Sequence, residues 1–396
     1  MCKPIRQLSY LLALSGSVFN TAHAVSFTDP VDGMFDMGEY LAENAYGFLP
    51  IPVIITEPAV GYGFGVIGMF LHETEEQKEK RRKLAMESID GGAQLIPPAV
   101  TVAGGAATEN GTWFALLGHR RVWKQDSIRY MGGVGFGTAI MEFYPFSNSG
   151  GPLQEVGVEL ETEGYGGMQK LQFRVADTKL FLGIQQFYAD SEVRLKNNSG
   201  IGSDSYTLAE TRSSGLGFNL EYDAKNSFFY PTEGWDFIAE YLWYREGIGS
   251  DNDYETFLAS STAYVPIANN WTLAFAVEYN SLTTDETSLP PLAYPDISLR
   301  GIPVNRYQGN YTSSYQTQVM WQFTPRWSVS VFGGVGGNSG VGRSNEGASA
   351  MFDDMKWAYG TGFRYLIARR YGVHMGMDFG FSEEDSAFYF NVGTGL

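Results

Sequence analysis

Apolar side chains recur at every second position along much of the chain. Val373, Met375, Met377, Phe379 and Phe381 alternate with His374, Gly376, Asp378 and Gly380. Trp357, Tyr359, Thr361, Phe363, Tyr365 and Ile367 alternate with Ala358, Gly360, Gly362, Arg364 and Leu366. Trp271 to Asn280 and Leu216 to Asp223 repeat the pattern, and Phe388, Phe390, Val392, Thr394 and Leu396 read as a strand running to the last residue. Successive strand side chains point to opposite faces. Strands of soluble sandwiches average about 5–6 residues, and these repeats are longer. Such length suits strands tilted across an apolar band about 25 Å tall, with one face on lipid and the other on a polar lumen. The fold class expected is therefore all-β: a transmembrane antiparallel β-barrel.

The pattern gives 16 candidate strands, beginning near Val60, Ala99, Thr112, Ser127, Leu153, Gly166, Lys179, Arg212, Trp235, Tyr254, Trp271, Tyr311, Trp327, Lys356, Tyr371 and Ala387. Connections fall into short turns (Glu109-Asn110-Gly111, Asp177-Thr178, Ala268-Asn269-Asn270, Pro325-Arg326, Arg369-Arg370) and longer loops (72–98, 197–211, 283–310, 339–355). Short periplasmic turns alternating with long extracellular loops are usual in such barrels. On this count both termini lie in the periplasm. Residues 60–396 form the barrel and 25–59 a periplasmic segment, in which Met34, Met37 and Leu41 share one face of a short amphipathic helix over Asp29–Gly47.

The first 24 residues read as a cleaved signal peptide: Lys3 and Arg6, an uncharged apolar run from Leu8 to Phe19, then Ala22-His23-Ala24. The apolar run is shorter than the ~20 residues a membrane helix needs. Export removes Cys2, the single cysteine, so no thiol or disulfide chemistry is expected. A formal net charge of −17 argues against nucleic acid as a partner. High counts of Gly (48), Phe (27) and Tyr (24) fit a barrel with aromatic girdles.

In a long loop, Leu299-Arg300-Gly301-Ile302 resembles the Arg-Gly tip of the BamA/TamA superfamily (bacterial surface antigen type). Arg212 to Gly217, Tyr222-Asp223 and Tyr230-Pro231-Thr232-Glu233-Gly234 resemble another segment of that family, in which Gly215, Pro231 and Gly234 are the motif positions. Gly360-Thr361-Gly362-Phe363-Arg364-Tyr365 followed by Met377-Asp378 resembles its C-terminal hairpin, with motif residues Gly360, Gly362 and Arg364. The likeness covers roughly residues 58–396 and does not include periplasmic POTRA domains. It implies an outer-membrane barrel in the biogenesis or translocation of protein or lipid, with a loop folded into the lumen. Glycine allows the tight turn, and a guanidinium pairs with carboxylates where water is restricted. Arg300, Gly301 and Asp378 are thus the expected lumen-loop lock.

Several positions depart from the family pattern: Ile302 follows Arg-Gly where an aromatic is usual, Gly334 stands where an acid is common, Gln318 replaces a common Glu, and Lys225-Asn226 replaces an Arg-Asp pair. The seam between first and last strands is expected to be loosened by Gly61, Gly63, Gly65, Gly393 and Gly395. A second reading is a partly plugged, cation-preferring channel lined by Asp223, Glu221, Glu240 and Glu278; a third is a surface interaction barrel. No metal or cofactor is expected, since His72, His119 and His374 are scattered. No catalysis is expected either: His374, Asp378 and Ser382 are too widely spaced along one strand face for a triad. Partners expected are outer-membrane lipids, lipopolysaccharide and a client polypeptide or lipid. The Lys78 to Lys83 cluster reads first as a charged, solvated loop helix; if extracellular, it could touch lipopolysaccharide phosphates.

Overall fold

A computed structural model describes residues 26–44, 47–88, 99–144, 158–195, 206–286, 289–339, 347–383 and 385–396. The expected signal peptide and the expected strand start at Leu153 lie outside them. Sixteen antiparallel strands follow one another in sequence order around a single sheet. They are β1 (Phe48–Ile55), β2 (Gly63–His72), β3 (Ala99–Thr108), β4 (Trp113–Trp123), β5 (Ile128–Phe143), β6 (Val158–Arg174), β7 (Leu180–Leu195) and β8 (Tyr206–Asp223). The second half comprises β9 (Gly234–Tyr244), β10 (Tyr254–Ala268), β11 (Trp271–Thr284), β12 (Tyr311–Gln322), β13 (Trp327–Asn338), β14 (Lys356–Ala368), β15 (Val373–Ser382) and β16 (Ser386–Val392).

The parity read from the sequence sets the faces. Phe64, Val134, Phe136, Phe218, Val331, Trp357 and Tyr359 stand exposed on the outer wall, whereas Gln318, Ser328, Arg364 and Asp378 are buried on the inner one. Stacked Trp271 and Trp321 mark one end of the outer wall, and Trp357 and Tyr359 the other. This is the aromatic-edged apolar band of a membrane barrel.

Two errors of the expected strand list cancel in the count. The start at Gly166 opens no new strand, since it falls inside β6, which runs unbroken from Val158 to Arg174. One strand is missing from the list: Phe48–Ile55 pairs residue for residue with β2 from Phe48↔Phe70 to Ile55↔Gly63. The barrel therefore starts at Phe48, inside the expected 25–59 segment. Pro50 and Pro52 disguise this strand, because proline cannot donate to a ladder and argues against a central strand. An edge tolerates them, and β1 is an edge: no ladder joins it to β16 among the described residues.

Adding β1 reverses the sides of the first connections. Residues 73–88 lie at the rim where the N-terminal segment docks, and turn 109–112 lies at the far rim. Lys78 to Lys83 thus lie at the same rim as the N-terminal segment, not among the far-rim loops, and form a helix as read. These residues sit on helix α2 (Glu75–Glu87), which packs beside the N-terminal helix α1 (Gly38–Asn44). Arg370, in the β14–β15 turn, donates to the α2 carbonyls of Ala85 (2.9 Å) and Met86 (2.8 Å), as basic groups do at helix C-termini.

The N-terminal helix is shorter than expected because three aspartates compete with it. Asp29, Asp32 and Asp36 accept from the backbone N–H two residues on, at 2.6, 2.9 and 2.6 Å. Such Asx turns displace helical bonding, so α1 begins only at Gly38. The same carboxylates bind Arg326 of the β12–β13 turn and Arg369 of the β14–β15 turn. Arg326 Nε lies 2.6 Å from Asp32, and Arg326 also pairs with Asp29 and Asp36. Arg369 pairs with Asp29 at 3.0 Å and with Asp32. The segment is thereby fastened across two turns of the rim. Hydrogen bonding from Arg326 holds the Asp32 carboxyl down at about 2, from an ordinary 3.8. A lowered carboxylate contributes stability that is present above its ordinary value and lost as pH falls through its folded one. A nitroxide at Val31→Cys should keep constant mobility from pH 7 to 4 and loosen between pH 4 and 2. Unchanged mobility at pH 2 would show that these ion pairs do not hold the segment.

Candidate functional site

The connection between β11 and β12 turns into the lumen and lies against the inner face of β12 to β15. Ile297, Leu299 and Ile302 of this loop are buried with Ala358. Glycines on β13 make the room: a Cβ at Gly334 would lie 2.8 Å from the Leu299 side chain, and one at Gly336 2.3 Å from Ile297. At residue 334, where the family pattern has an acid, this chain seats an apolar loop side chain instead.

At the loop tip Gly301 has φ +106°, and its backbone passes so close to Gly380 that a Cβ there would sit 2.9 Å from the Gly301 nitrogen. The tip is tied to the end of the barrel: Gly301 N–H donates to the Tyr389 hydroxyl (3.0 Å), and Ser382 Oγ donates to the Gly301 carbonyl (2.7 Å). Three residues on, Val304 N–H donates to Glu57 in the β1–β2 turn (3.2 Å). One loop thus touches both flanks of the unpaired seam. Stacked rings of Tyr62 and Phe388, 5.5 Å apart, add a direct contact across it.

The Arg300 guanidinium reaches three partners. Nη1 donates to Asp378 Oδ2 (2.7 Å), Nη2 to Gln318 Oε1 (2.7 Å), and both Nε and Nη2 to Gln316 Oε1 (2.9 and 2.7 Å). Its plane lies over the Phe332 ring, 3.7 Å from the centroid, a favourable cation–π position. Arg364 takes the same carboxylate from the other side, Nη1 to Oδ1 and Nη2 to Oδ2, each 2.8 Å. Asn391 of β16 donates a further bond to Oδ2 (2.8 Å). Asp378 has no solvent exposure. It needs Gly362 opposite, since a Cβ there would lie 1.8 Å from Oδ1. Two guanidinium groups share one carboxylate, and neutral amides and carbonyls supply the other acceptors.

The four residues after β16 complete this network, which corrects the expected strand to Leu396. Gly393 and Gly395 adopt φ +98° and +85°, turning the chain inward after Val392. Arg364 then donates to the carbonyls of Gly393 (2.7 Å) and Thr394 (3.0 Å), and Leu396 packs beside Tyr264, Ala274 and Met320. Gln318 accepts from Arg300 through its oxygen and donates to the Thr394 carbonyl through its nitrogen (3.2 Å). A carboxylate there could not donate, so glutamine suits a site that must hold the tail. The seam glycines are likewise reassigned: Gly63 and Gly65 lie in β2, Gly61 in the turn before it, and Gly393 and Gly395 in the inward tail.

The expected lumen acids are dispersed. Glu221 accepts from Arg129 (2.8 Å) and Gln172 (3.1 Å), and Glu240 pairs with Lys170. Asp223 caps a turn through Lys225 N–H (3.0 Å), and Glu278 accepts from Asn280 (2.8 Å). Only Glu278 joins the loop site, lining with Glu57, Asp296 and Arg300 a cavity of about 460 Å³ behind the tip. Gly215 leaves space for the Tyr244 ring, Gly234 turns with φ +102° beside Ala224, and buried Pro231 lies in the same turn. Among the described residues no three His, Asp or Glu side chains converge as a metal site. Gln316, Ser382, Tyr389, Glu57 and the 393–396 tail were missed from sequence; Gln316 shares the parity of Gln318, a signal that could have found it, but only the folded loop brings the others together.

No family model matches the chain, and no curated protein matches it in sequence. Solved structures do. The Haemophilus ducreyi BamA lacking POTRA domains 1–3 superposes with a TM-score of 0.57 at 12% identity, covering 88% of this chain and 70% of that one. CdiB from Acinetobacter baumannii gives 0.52 at 9% identity, over 87% and 59% of the two chains, and CdiB from Escherichia coli 0.51 at 11%, over 87% and 61%. The chain spans about 60% of the CdiB chains. The protein has the fold of an outer-membrane β-barrel. More particularly, its 16-stranded barrel has the fold seen in BamA and CdiB.

Proposed function

We propose that this barrel inserts or passes a client polypeptide through the seam between β1 and β16 in the outer membrane, with the α1–α2 rim facing the periplasm. The observation that carries the reading is the seam itself: two edge strands with no ladder between them, spanned by a lumen loop anchored to both flanks. An edge strand is a template for a further strand. A client can add there by main-chain hydrogen bonds. The BamA/TamA-type fold agrees with this use. The channel reading is weaker, because Glu221 and Glu240 are neutralised by Arg129 and Lys170.

The test is assisted folding. An unfolded eight-stranded outer-membrane barrel is added to vesicles carrying the protein, and its folding is followed by heat-modifiable gel mobility. The wild type should accelerate folding. A Tyr62→Cys/Phe388→Cys variant stapled with a cleavable bis-maleimide should lose that acceleration and regain it on cleavage. Equal acceleration with the seam stapled, or none in the wild type, refutes the reading.

A further inference from the structure

The outer wall is not apolar throughout. On β11, β13, β14 and β15 the outward positions hold no charged residue and no His, Gln or Asn. On β2 to β8 the outward face differs. Pairing places Thr101 beside His119, His119 beside Gly132, Gly132 beside Gln169, and Gln169 beside Gln186. These share the face of exposed Phe70, Leu117, Val134 and Ile184. The polar groups bond in three short chains. His72 Nε2 lies 2.8 Å from Thr101 Oγ1, which lies 2.9 Å from His119 Nδ1. Tyr130 donates to Gln169 (3.4 Å), Gln169 to Gln186 (2.7 Å), and Tyr165 to Asp190 (3.1 Å).

The row climbs the wall. His72 ends β2 at the α1–α2 rim. His119 lies four residues before the last residue of β4, Trp123, at that rim, roughly 10 Å into the band for a tilted strand. Gln186 stands further in along β7, and Tyr188, Asp190 and Arg212 continue towards the far rim. With no side chain at Gly132 or Gly167, the middle of the row opens into a groove of about 740 Å³, lined by His119, Tyr130, Gln169, Gln186 and Tyr188.

We propose that this row is a path along which the polar headgroup of a phospholipid crosses the apolar band while its acyl chains stay in the surrounding lipid. Groups facing hydrocarbon need partners, and these clusters, spaced from the α1–α2 rim towards the far one, offer them at successive depths. The row is short of net charge: the imidazoles suit a phosphate and Asp190 an ammonium, while Arg212 at its upper end is paired with Asp251 (2.8 Å). A contact between two barrels calls for a patch, whereas this feature is a line that starts at one rim and ends near the other. The path is separate from the seam and does not depend on the seam's role.

The experiment uses the full chain in vesicles of phosphatidylethanolamine and phosphatidylglycerol carrying a short-chain fluorescent phosphatidylethanolamine in both leaflets. Albumin, too large to pass the barrel, extracts the probe from the outer leaflet. Wild type should make nearly all the probe extractable. His119→Leu/Gln169→Leu/Gln186→Leu should slow the exchange about tenfold, the equivalent of one net hydrogen bond lost along the way. Heat-modifiable mobility confirms that the variant is folded. Ser261→Ala/Thr361→Val, outward on β10 and β14, should exchange at the wild-type rate. Equal rates for the triple variant and wild type, or no exchange by wild type, overturn the proposal. So does a wild type that is dimeric in nanodiscs and monomeric once the three residues are changed, which would make the row a barrel–barrel contact.

Discussion

Asp378→Ala is expected to destabilise the folded barrel by about 3–5 kcal/mol, the usual cost of leaving a buried charge without its partner. The alanine removes the single carboxylate between Arg300 and Arg364, both largely buried. Two guanidinium groups then face each other with only amides and carbonyls as acceptors, and Asn391 loses its bond as well. Asp378→Asn keeps the shape and one acceptor oxygen but none of the charge, so it should fall between wild type and alanine. Urea unfolding in detergent, followed by tryptophan fluorescence and heat-modifiable mobility, measures the order. An alanine variant within 1 kcal/mol of wild type, itself about the worth of one ordinary hydrogen bond, would mean that the arginines find water or another acid.

Arg300→Ala should change a closed barrel into a flickering one in planar bilayers. The substitution removes the bonds to Asp378, Gln316 and Gln318 and the contact with Phe332. It leaves Ile297, Leu299 and Ile302 docked and the Gly301 backbone bound to Tyr389 and Ser382. The loop should therefore fluctuate rather than leave, giving brief openings. Arg300→Lys should not restore the closed state, since an ammonium cannot reach a carboxylate and two amides with one planar fork. A wild type already open and stable, unchanged by either substitution, would remove Arg300 from the functional residues.

Alternation made the barrel legible because lipid and lumen impose opposite demands on successive residues. It failed where something else set the residue type. Pro50 and Pro52 hide β1, since an edge strand is exempt from donating on its free side. Gly393 and Gly395 sit at strand parity beyond Val392, yet their positive φ turns the chain inward. Arg300 and Asp378 were readable as a pair from the loop motif and the parity of β15. Glu57, Ser382 and Tyr389 were not: their partners are backbone groups of a distant loop, and main-chain partners leave no mark on a residue pattern. The three aspartates that meet Arg326 and Arg369 carried no signal of their own, because the sequence does not say which turns lie beneath them.

The two prolines of β1 also make the edges unequal. They share one parity, and β1 pairs with β2 along its whole length, so their missing N–H groups belong to the side that faces β16. Of the even positions from Phe48 to Ile54, only those two ends can donate outward. The β16 edge has no proline and keeps its donors. A strand entering the gap would zip firmly onto β16 and only patchily onto β1. In the proposed role such a guest would be gripped by one lip and slip off the other, and the wall would admit a new hairpin without being permanently stitched shut around it.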